Sequence, residues 1–134
     1  ENIEHKVIFV GSIIDPKILQ TYYKKAIVSV SFGQAGLSVL QSLGYGVPFL
    51  TKENAVSGGE MTNIKHRING ILCKDNIFSL EKALIELCNN NEFANRLGRN
   101  AYDYYSKYCT IENMNQGFLD AIENTNLAEV DEIK

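Results

Sequence analysis

The chain has 134 residues, 45% of them hydrophobic, and carries a formal net charge of −3 at pH 7. Such a chain can bury one core, and its mild acidity without a basic block argues against a nucleic-acid surface. No apolar run is long enough to cross a bilayer, and Cys73, Cys88 and Cys109 lack the spacing of a zinc site or a disulfide framework. We therefore expect a cytoplasmic protein with reduced thiols, and we predict neither a metal site nor a cofactor.

The first part of the chain predicts a strand followed by a helix. Lys6–Val10 is an apolar run typical of a buried strand, and Gly11 and Ser12 end it. Asp15 is a suitable N-cap and Pro16 suits the first helical position, so we expect a helix to begin there. Ser12 would then lie in the loop that follows the first strand.

A strand, a turn, a helix and a second strand follow within residues 27–51. Ile27–Ser31 is a β-branched run typical of a buried strand, and the loop after it contains Gly33. Leucines recur at helical spacing from Gly36 onward, until glycines and Pro48 end the helix and an apolar strand begins. This order predicts a right-handed βαβ crossover and hence a parallel sheet.

The turn before this helix has a physical use. The first amides of a helix, here near Gly36 and Ser38, have no intrahelical acceptor, and the helix dipole adds partial positive charge there. A glycine lets the phosphates of a ligand approach the backbone because it has no Cβ. The pattern predicts a phosphate-binding turn, and close packing of helix against strand is the alternative explanation of Gly36.

A polar loop, KENAVSGGEM, follows the second strand of the crossover, at the strand end where open α/β sheets bind ligands. Gly58 and Gly59 are typical of a nest of amides, and Glu60 can accept hydrogen bonds from sugar or ribose hydroxyls. An exposed turn with a solvated glutamate is the alternative. His66 could act as an acid–base group, but a lone histidine on a short helical segment is more often structural.

The rest of the chain predicts one more strand and three helices. Ile71–Cys73 is the strand, and Ser79 is the candidate cap of the first helix. Phe93–Tyr108 and Ile111–Ile122 show the apolar spacing of the other two helices, the last of them capped by Thr110. The sequence thus predicts an α/β fold, a Rossmann-like parallel sheet of about four strands flanked by helices, with C-terminal helices.

The segment GLSVLQSLGYGVP resembles the donor-nucleotide signature of retaining GT-B glycosyltransferases of family 4. The matching positions are Gly36, Leu37, Leu40, Gly46, Val47 and Pro48. The resemblance covers most of residues 7–120, and it identifies 1–123 as part of a C-terminal nucleotide-sugar-binding domain, followed by an acidic, frayed tail over 124–134. It also implies a missing N-terminal acceptor-binding domain, without which this chain would be inactive.

The resemblance further implies a reaction and the residues that serve it. Enzymes of this family transfer a sugar from a nucleoside diphosphate to a glycan or lipid-linked acceptor with retention, as in polysaccharide biosynthesis, and the intact enzyme is expected at the inner membrane face. The residues implied in donor or nucleotide binding are Ser12, Gly33, Gly36, Leu37, Ser38, Gln41, Gly58 and Gly59. Glu60 is the carboxylate implied in catalysis. The expected partner is a nucleotide-sugar donor, and the oligomeric state is left open.

Two departures from the family pattern keep other functions open. Where the family has two glutamates, this chain has Gly33 and Gln41, so the sugar contact is lost and the ribose contact is uncharged. One alternative is a degenerate, non-catalytic domain that binds nucleotide or a protein partner. Another is a nucleotide-sugar 2-epimerase of the same architecture, which the position of Ser57–Glu60 after a strand, instead of at a helix start, argues against.

Overall fold

The structure, a computed structural model, describes residues 3–122 and confirms the α/β class. Its elements in chain order are α1 (Pro16–Tyr23), β1 (Ser29–Val30), α2 (Ser38–Gly44), β2 (Phe49–Lys52), β3 (Gly70–Cys73), α3 (Ile77–Asn89), α4 (Asn91–Tyr108) and α5 (Ile111–Ile122), with 3-10 helices at Glu4–Lys6 and Glu60–Asn63. The tail predicted over 124–134 lies outside the described residues. None of the helices within residues 3–122 combines the length and the apolar character that a membrane span requires.

The three strands form one parallel sheet in the order β1, β2, β3. Ser29 pairs with Phe49, and Val30 pairs with Leu50. Helix α2 connects β1 to β2, so the βαβ crossover and the parallel sheet predicted over residues 27–51 are confirmed.

The strand predicted over Lys6–Val10 is wrong for the described chain, whose sheet has three strands instead of about four. Glu4–Lys6 is a 3-10 helix, and the apolar side chains that follow are exposed, Ile8 at 82% and Phe9 at 94%. A strand is stable only where a neighbouring strand supplies hydrogen-bond partners. Within residues 3–122, the two edge strands β1 and β3 each pair with β2 alone, so Lys6–Val10 pairs with no strand of the sheet.

Two apolar clusters enclose β2. Because successive side chains of a strand point to opposite faces, Phe49 and Leu50 belong to different clusters. Phe49 shares its cluster with Leu43 of α2, and Leu50 shares the other with Leu87 of α3 and Leu97 of α4. Full burial of such a side chain contributes roughly 1.5–3 kcal/mol, so the central strand is the best-anchored element of the sheet.

Polar side chains fix where the helices begin. Asp15 accepts a hydrogen bond from the amide two residues further on, which confirms it as the N-cap of α1. Helix α3 begins earlier than predicted, because Asn76 accepts the amide hydrogen bond of Ser79 at 2.9 Å and is the N-cap in its place. The Thr110 hydroxyl accepts from the amide of Asn113 at 3.3 Å, as expected of the cap of α5.

A glycine lets α4 lie against the turn before β2. A Cβ at Gly98 would lie 2.5 Å from the carbonyl oxygen of Gly46, a residue whose own φ is +70°. This backbone contact explains why α4 contains a glycine, which costs a helix interior about 1 kcal/mol relative to alanine.

Substituting Gly98 by alanine should therefore destabilise the domain by about 1–3 kcal/mol, because the added methyl group overlaps a backbone carbonyl. Gly117→Ala is the matched control, since Gly117 is also helical and nothing lies within 4 Å of a Cβ built there. Urea unfolding of the two variants measures the difference in the free energy of unfolding. Equal losses in both variants would contradict this account of Gly98.

Candidate functional site

Two loops meet at the carboxyl edge of the sheet, where β1 and β2 end. The amide of Ala35 donates to the carbonyl of Val56 at 2.8 Å, and the amide of Val56 donates to the carbonyl of Gly33 at 3.1 Å. Nearer the strands, the Thr51 hydroxyl donates to the carbonyl of Ser31 at 2.8 Å. These bonds continue the pairing of β1 and β2 into their loops and bring the two glycine-containing segments together.

The first amides of α2 are unpaired. Those of Gly36, Leu37 and Ser38 have no hydrogen-bond acceptor in the part of the chain that the structure describes. A Cβ built at Gly36 would meet only the side chain of Gln34, at 3.9 Å, and Leu37 is 74% exposed. Three backbone donors are therefore accessible at the positive end of this short helix.

Gln41 is exposed on α2 and is tied to α1. Its side-chain oxygen accepts a hydrogen bond from the Tyr23 hydroxyl at 3.3 Å, and the Tyr23 ring stacks on Tyr45 with the ring centroids 4.6 Å apart. Burial raises the pKa of Tyr23, so its hydroxyl stays protonated and can donate. The carboxamide of Gln41 is accessible to a ligand, although its oxygen already has one donor.

Gly33 and Ser12 bring no side-chain contact to this edge. Gly33 is exposed, and nothing lies within 4 Å of a Cβ built there. Ser12 is exposed in the irregular segment before α1, and the structure shows no hydrogen bond between it and another predicted site residue. The structure thus joins Gly33 to the site through its backbone carbonyl and shows no hydrogen bond between Ser12 and the site.

The loop after β2 is closed by its own side chains. The Glu60 carboxylate accepts hydrogen bonds from the amide of Gly58 at 3.0 Å and from the hydroxyl of Ser57 at 3.3 Å. The Ser57 oxygen accepts in turn from the amides of Gly59 at 3.2 Å and Met61 at 3.1 Å. The glycine amides predicted to form a nest for a ligand therefore both have acceptors within the loop.

Sequence reasoning missed Asn63, which anchors this loop. The Asn63 side-chain amide donates to the carbonyl of Glu60 at 3.0 Å, and its side-chain oxygen accepts from the Tyr104 hydroxyl at 3.5 Å. The buried side chain of Asn69 donates to the backbone carbonyl of Asn63 at 2.9 Å. An asparagine outside any motif gives no signal in the sequence, because its bonds depend on how the loop closes and, for Tyr104, on a distant helix.

Two basic side chains next to the strands are paired with carboxylates. Lys52, at the end of β2, binds Asp75 at 2.9 Å and holds the pKa of that carboxyl below its usual value. Arg67, which has the left-handed φ of +62°, binds Glu86 at 2.6 Å. Both cations are therefore engaged in ion pairs away from the unpaired amides of α2.

His66 has a structural contact. Its Nδ1 accepts the amide hydrogen of Leu72 in β3 at 3.1 Å, which favours the structural interpretation over acid–base chemistry. Within residues 3–122 the structure shows no cluster of three or more histidine, cysteine or acidic side chains that could hold a metal ion.

The comparisons with known proteins bear on the family and on the fold of this chain. The family model described as "Glycosyl transferases group 1" matches residues 1–104. Among solved structures, the chain is similar to a sucrose-phosphate synthase from Thermosynechococcus elongatus, with 22% identity and a TM-score of 0.73 over 91% of this chain and 32% of that one. It is also similar to the C-terminal domain of a glycosyl transferase group 1 family protein from Francisella tularensis, with 18% identity and a TM-score of 0.66.

The second similarity covers 81% of this chain and 56% of the Francisella chain. The chain thus spans less than two thirds of either of these structures. At such identities the two structures support the fold alone. No match was found among curated protein sequences.

Replacing Val56 by proline should loosen the contact between the two loops, because proline has no amide to donate to Gly33. Loss of this bond should cost about 0.5–1.5 kcal/mol and should speed hydrogen exchange at the Ala35 amide, which bonds the Val56 carbonyl. The control is Val56→Ala, which should change neither quantity because the Val56 side chain is 73% exposed. Unchanged protection of Ala35 in the proline variant would show that this bridge does not hold the loops together.

Proposed function

The chain belongs to the group 1 glycosyl transferase family, and we propose that it is the part of such an enzyme that binds the nucleotide-sugar donor. One observation carries the proposal: the amides of Gly36, Leu37 and Ser38 are unpaired at the carboxyl edge of a parallel sheet. Open α/β sheets bind their ligands at that edge, and unpaired amides at a helix start suit phosphate oxygens.

In the proposed reaction, the bond between the sugar and the diphosphate breaks and negative charge develops on the leaving diphosphate. Backbone amides that are fixed before the reaction can stabilise this charge without a metal ion or another cofactor. We assign Gly36, Leu37 and Ser38 to the diphosphate. Gly36 suits this role because phosphate oxygens can approach a residue that has no Cβ.

The other parts of the nucleotide are assigned by position. We assign Gln41 to the ribose, because its exposed carboxamide lies on α2 shortly after the unpaired amides. Ser12, in the loop before α1, is assigned to the base, and Gly33 to the donor through its backbone.

The loop after β2 is assigned to the sugar. Glu60 is the proposed catalytic carboxylate, which would accept hydrogen bonds from sugar hydroxyls, and Gly58 and Gly59 carry amides that would meet the donor. The bridge between Val56 and the turn after β1 supports this assignment, since it joins this loop to the start of α2.

We propose that the intact enzyme is a retaining glycosyltransferase that extends a glycan or lipid-linked acceptor in polysaccharide biosynthesis. It would be cytoplasmic, with peripheral attachment to the inner face of the membrane. The chain spans only part of the structures it resembles, so we assign the acceptor to a separate N-terminal domain. In this proposal residues 1–123 belong to the donor-binding domain, and the chain alone transfers no sugar.

Two observations favour a second candidate, a degenerate domain that binds nucleotide weakly or serves as an interaction module. No side chain extends from Gly33, and the oxygen of Gln41 is already bonded to Tyr23. The structure does not favour the 2-epimerase alternative, because Ser57–Glu60 follows β2 and does not lie at the start of α2.

Titration of the chain with UDP and with GDP by isothermal calorimetry tests the proposal, and we expect binding of at least one of them at or below millimolar concentration. Gly36→Asp should weaken that binding at least about tenfold, because a carboxylate beside the unpaired amides competes with phosphate. The variant should still fold, since aspartate is favourable next to a helix start and a Cβ at Gly36 has room.

Gly117→Asp is the matched control, because it adds the same charge at an exposed position of α5 and should leave the affinity unchanged. Failure of the unaltered chain to bind either nucleotide at millimolar concentration would favour the degenerate domain. Equal affinities of the two aspartate variants would show that the nucleotide does not bind at the start of α2.

A further inference from the structure

A carboxylate occupies the loop that the proposed function gives to the donor. Glu60 is partly buried, and its contacts are the Gly58 amide and the Ser57 hydroxyl of its own loop. In the described chain the ion pairs join other residues, Lys52 to Asp75 and Arg67 to Glu86. The charge of Glu60 is therefore met by uncharged donors, which bind a carboxylate through charge-assisted hydrogen bonds.

We propose that Glu60 is a tethered anion that closes this loop until the diphosphate of the donor displaces it. The inference rests on the proposed function and deepens it, because it gives the same residue a task before the donor arrives. Ser57 and Gly58 act as positioning residues, since they hold the carboxylate. Displacement releases Glu60 from the Gly58 amide and the Ser57 hydroxyl and makes it available to sugar hydroxyls.

The loop is constructed so that one side can open while the other stays fixed. Gly59 has a φ of +128°, and nothing lies within 4 Å of a Cβ built there, so the chain before Glu60 turns at an unobstructed glycine. On the other side, the Asn63 side chain donates to the Glu60 carbonyl at 3.0 Å. The backbone of Glu60 is therefore anchored, whereas its carboxylate can exchange one hydrogen-bond donor for another.

The geometry also selects the kind of ligand. Val56, which directly precedes Ser57, is hydrogen-bonded to the turn that leads into Gly36, so the closed loop and the unpaired amides of α2 are neighbours. A diphosphate carries two phosphate groups. In this proposal one group binds the α2 amides while the other competes with Glu60 for the Gly58 amide.

The test measures the affinity of the chain for whichever of UDP and GDP it binds, with inorganic pyrophosphate as a probe that has no base. Glu60→Gln removes the charge of the tethered anion, and Glu60→Ala removes the acceptor as well. Both variants should bind the diphosphate about three- to tenfold more tightly, because a charge-assisted competitor is gone.

Glu53→Gln is the matched control. Glu53 is exposed in the same loop, and its carboxylate forms no hydrogen bond with a loop amide in the described chain. This substitution makes the same change in net charge, and it should alter the affinity less than about twofold because an exposed charge is screened.

Ser57 and Gly58 supply two further readouts, and the response of the Gly58 amide to added diphosphate is one that a purely structural role of Glu60 would not produce. Ser57→Ala should tighten binding by a smaller factor than Glu60→Gln, and Ser57→Thr, which keeps the hydroxyl, should restore the original affinity. In NMR spectra, the Gly58 amide resonance should move upfield in Glu60→Gln. Addition of the diphosphate to the unaltered chain should also shift this resonance as its acceptor changes.

The outcomes separate the inference from its premise. If the unaltered chain binds a diphosphate and Glu60→Gln binds it no more tightly than Glu53→Gln, the tethered anion is ruled out. Weaker binding by Glu60→Gln also overturns the inference and makes Glu60 a direct contact of the nucleotide. If neither the chain nor any variant binds UDP, GDP or pyrophosphate, the proposed function itself fails.

Discussion

The candidate site depends on backbone hydrogen bonds that continue the pairing of β1 and β2 past the ends of both strands. These bonds run between the turn at Gly33 and Ala35 and the loop at Val56, and they hold the start of α2 beside the loop that contains Glu60. Neither segment could be placed by its own structure, because both are short and rich in glycine. Their relative position therefore comes from the strands that carry them.

The register of those strands is fixed by burial. Phe49 and Leu50 are both fully buried, in different clusters, one with α2 and α4 and the other with α3 and α4. A slip of one residue between β1 and β2 would exchange their faces and would leave both clusters badly packed. The hydrophobic core thus sets the geometry of the site indirectly, because it permits only one register and this register determines which loop residues meet.

The local part of this structure could be predicted from the sequence, and the non-local part could not. The crossover at 27–51 was predictable because turn residues and apolar spacing within this short segment both indicate a strand, a helix and a second strand. Lys6–Val10 has the composition of a strand, but whether a strand forms depends on a neighbour elsewhere in the chain. The cap of α3 was misplaced because Asn76 and Ser79 are both good capping residues and only the geometry distinguishes them.

The same division applies to the site. The glycine before α2 marks the unpaired amides of Gly36–Ser38 directly, whereas no pattern reveals that the Glu60 carboxylate bonds the Gly58 amide of its own loop. The choice of partner by a side chain depends on how the loop closes, and here Asn63 contributes to that closure from outside the motif. The sequence identified residues that can bind phosphate or sugar groups. It did not show whether their hydrogen-bonding groups are already paired within the fold.

The charge balance of the chain explains why an internal anion would settle in an anion site. The net charge is −3, and Lys52 and Arg67 are paired with carboxylates, whereas the unpaired amides at the start of α2 carry partial positive charge. Amides act at hydrogen-bond distance, whereas the net charge is screened over roughly 10 Å at ordinary salt. A loop of free amides therefore attracts the nearest carboxylate, and a tethered one is always near. Only a ligand with more negative charge, or with more contacts, can replace it. A diphosphate carries more negative charge than one carboxylate and a neutral sugar carries none, so on this account recognition of the donor begins at its diphosphate.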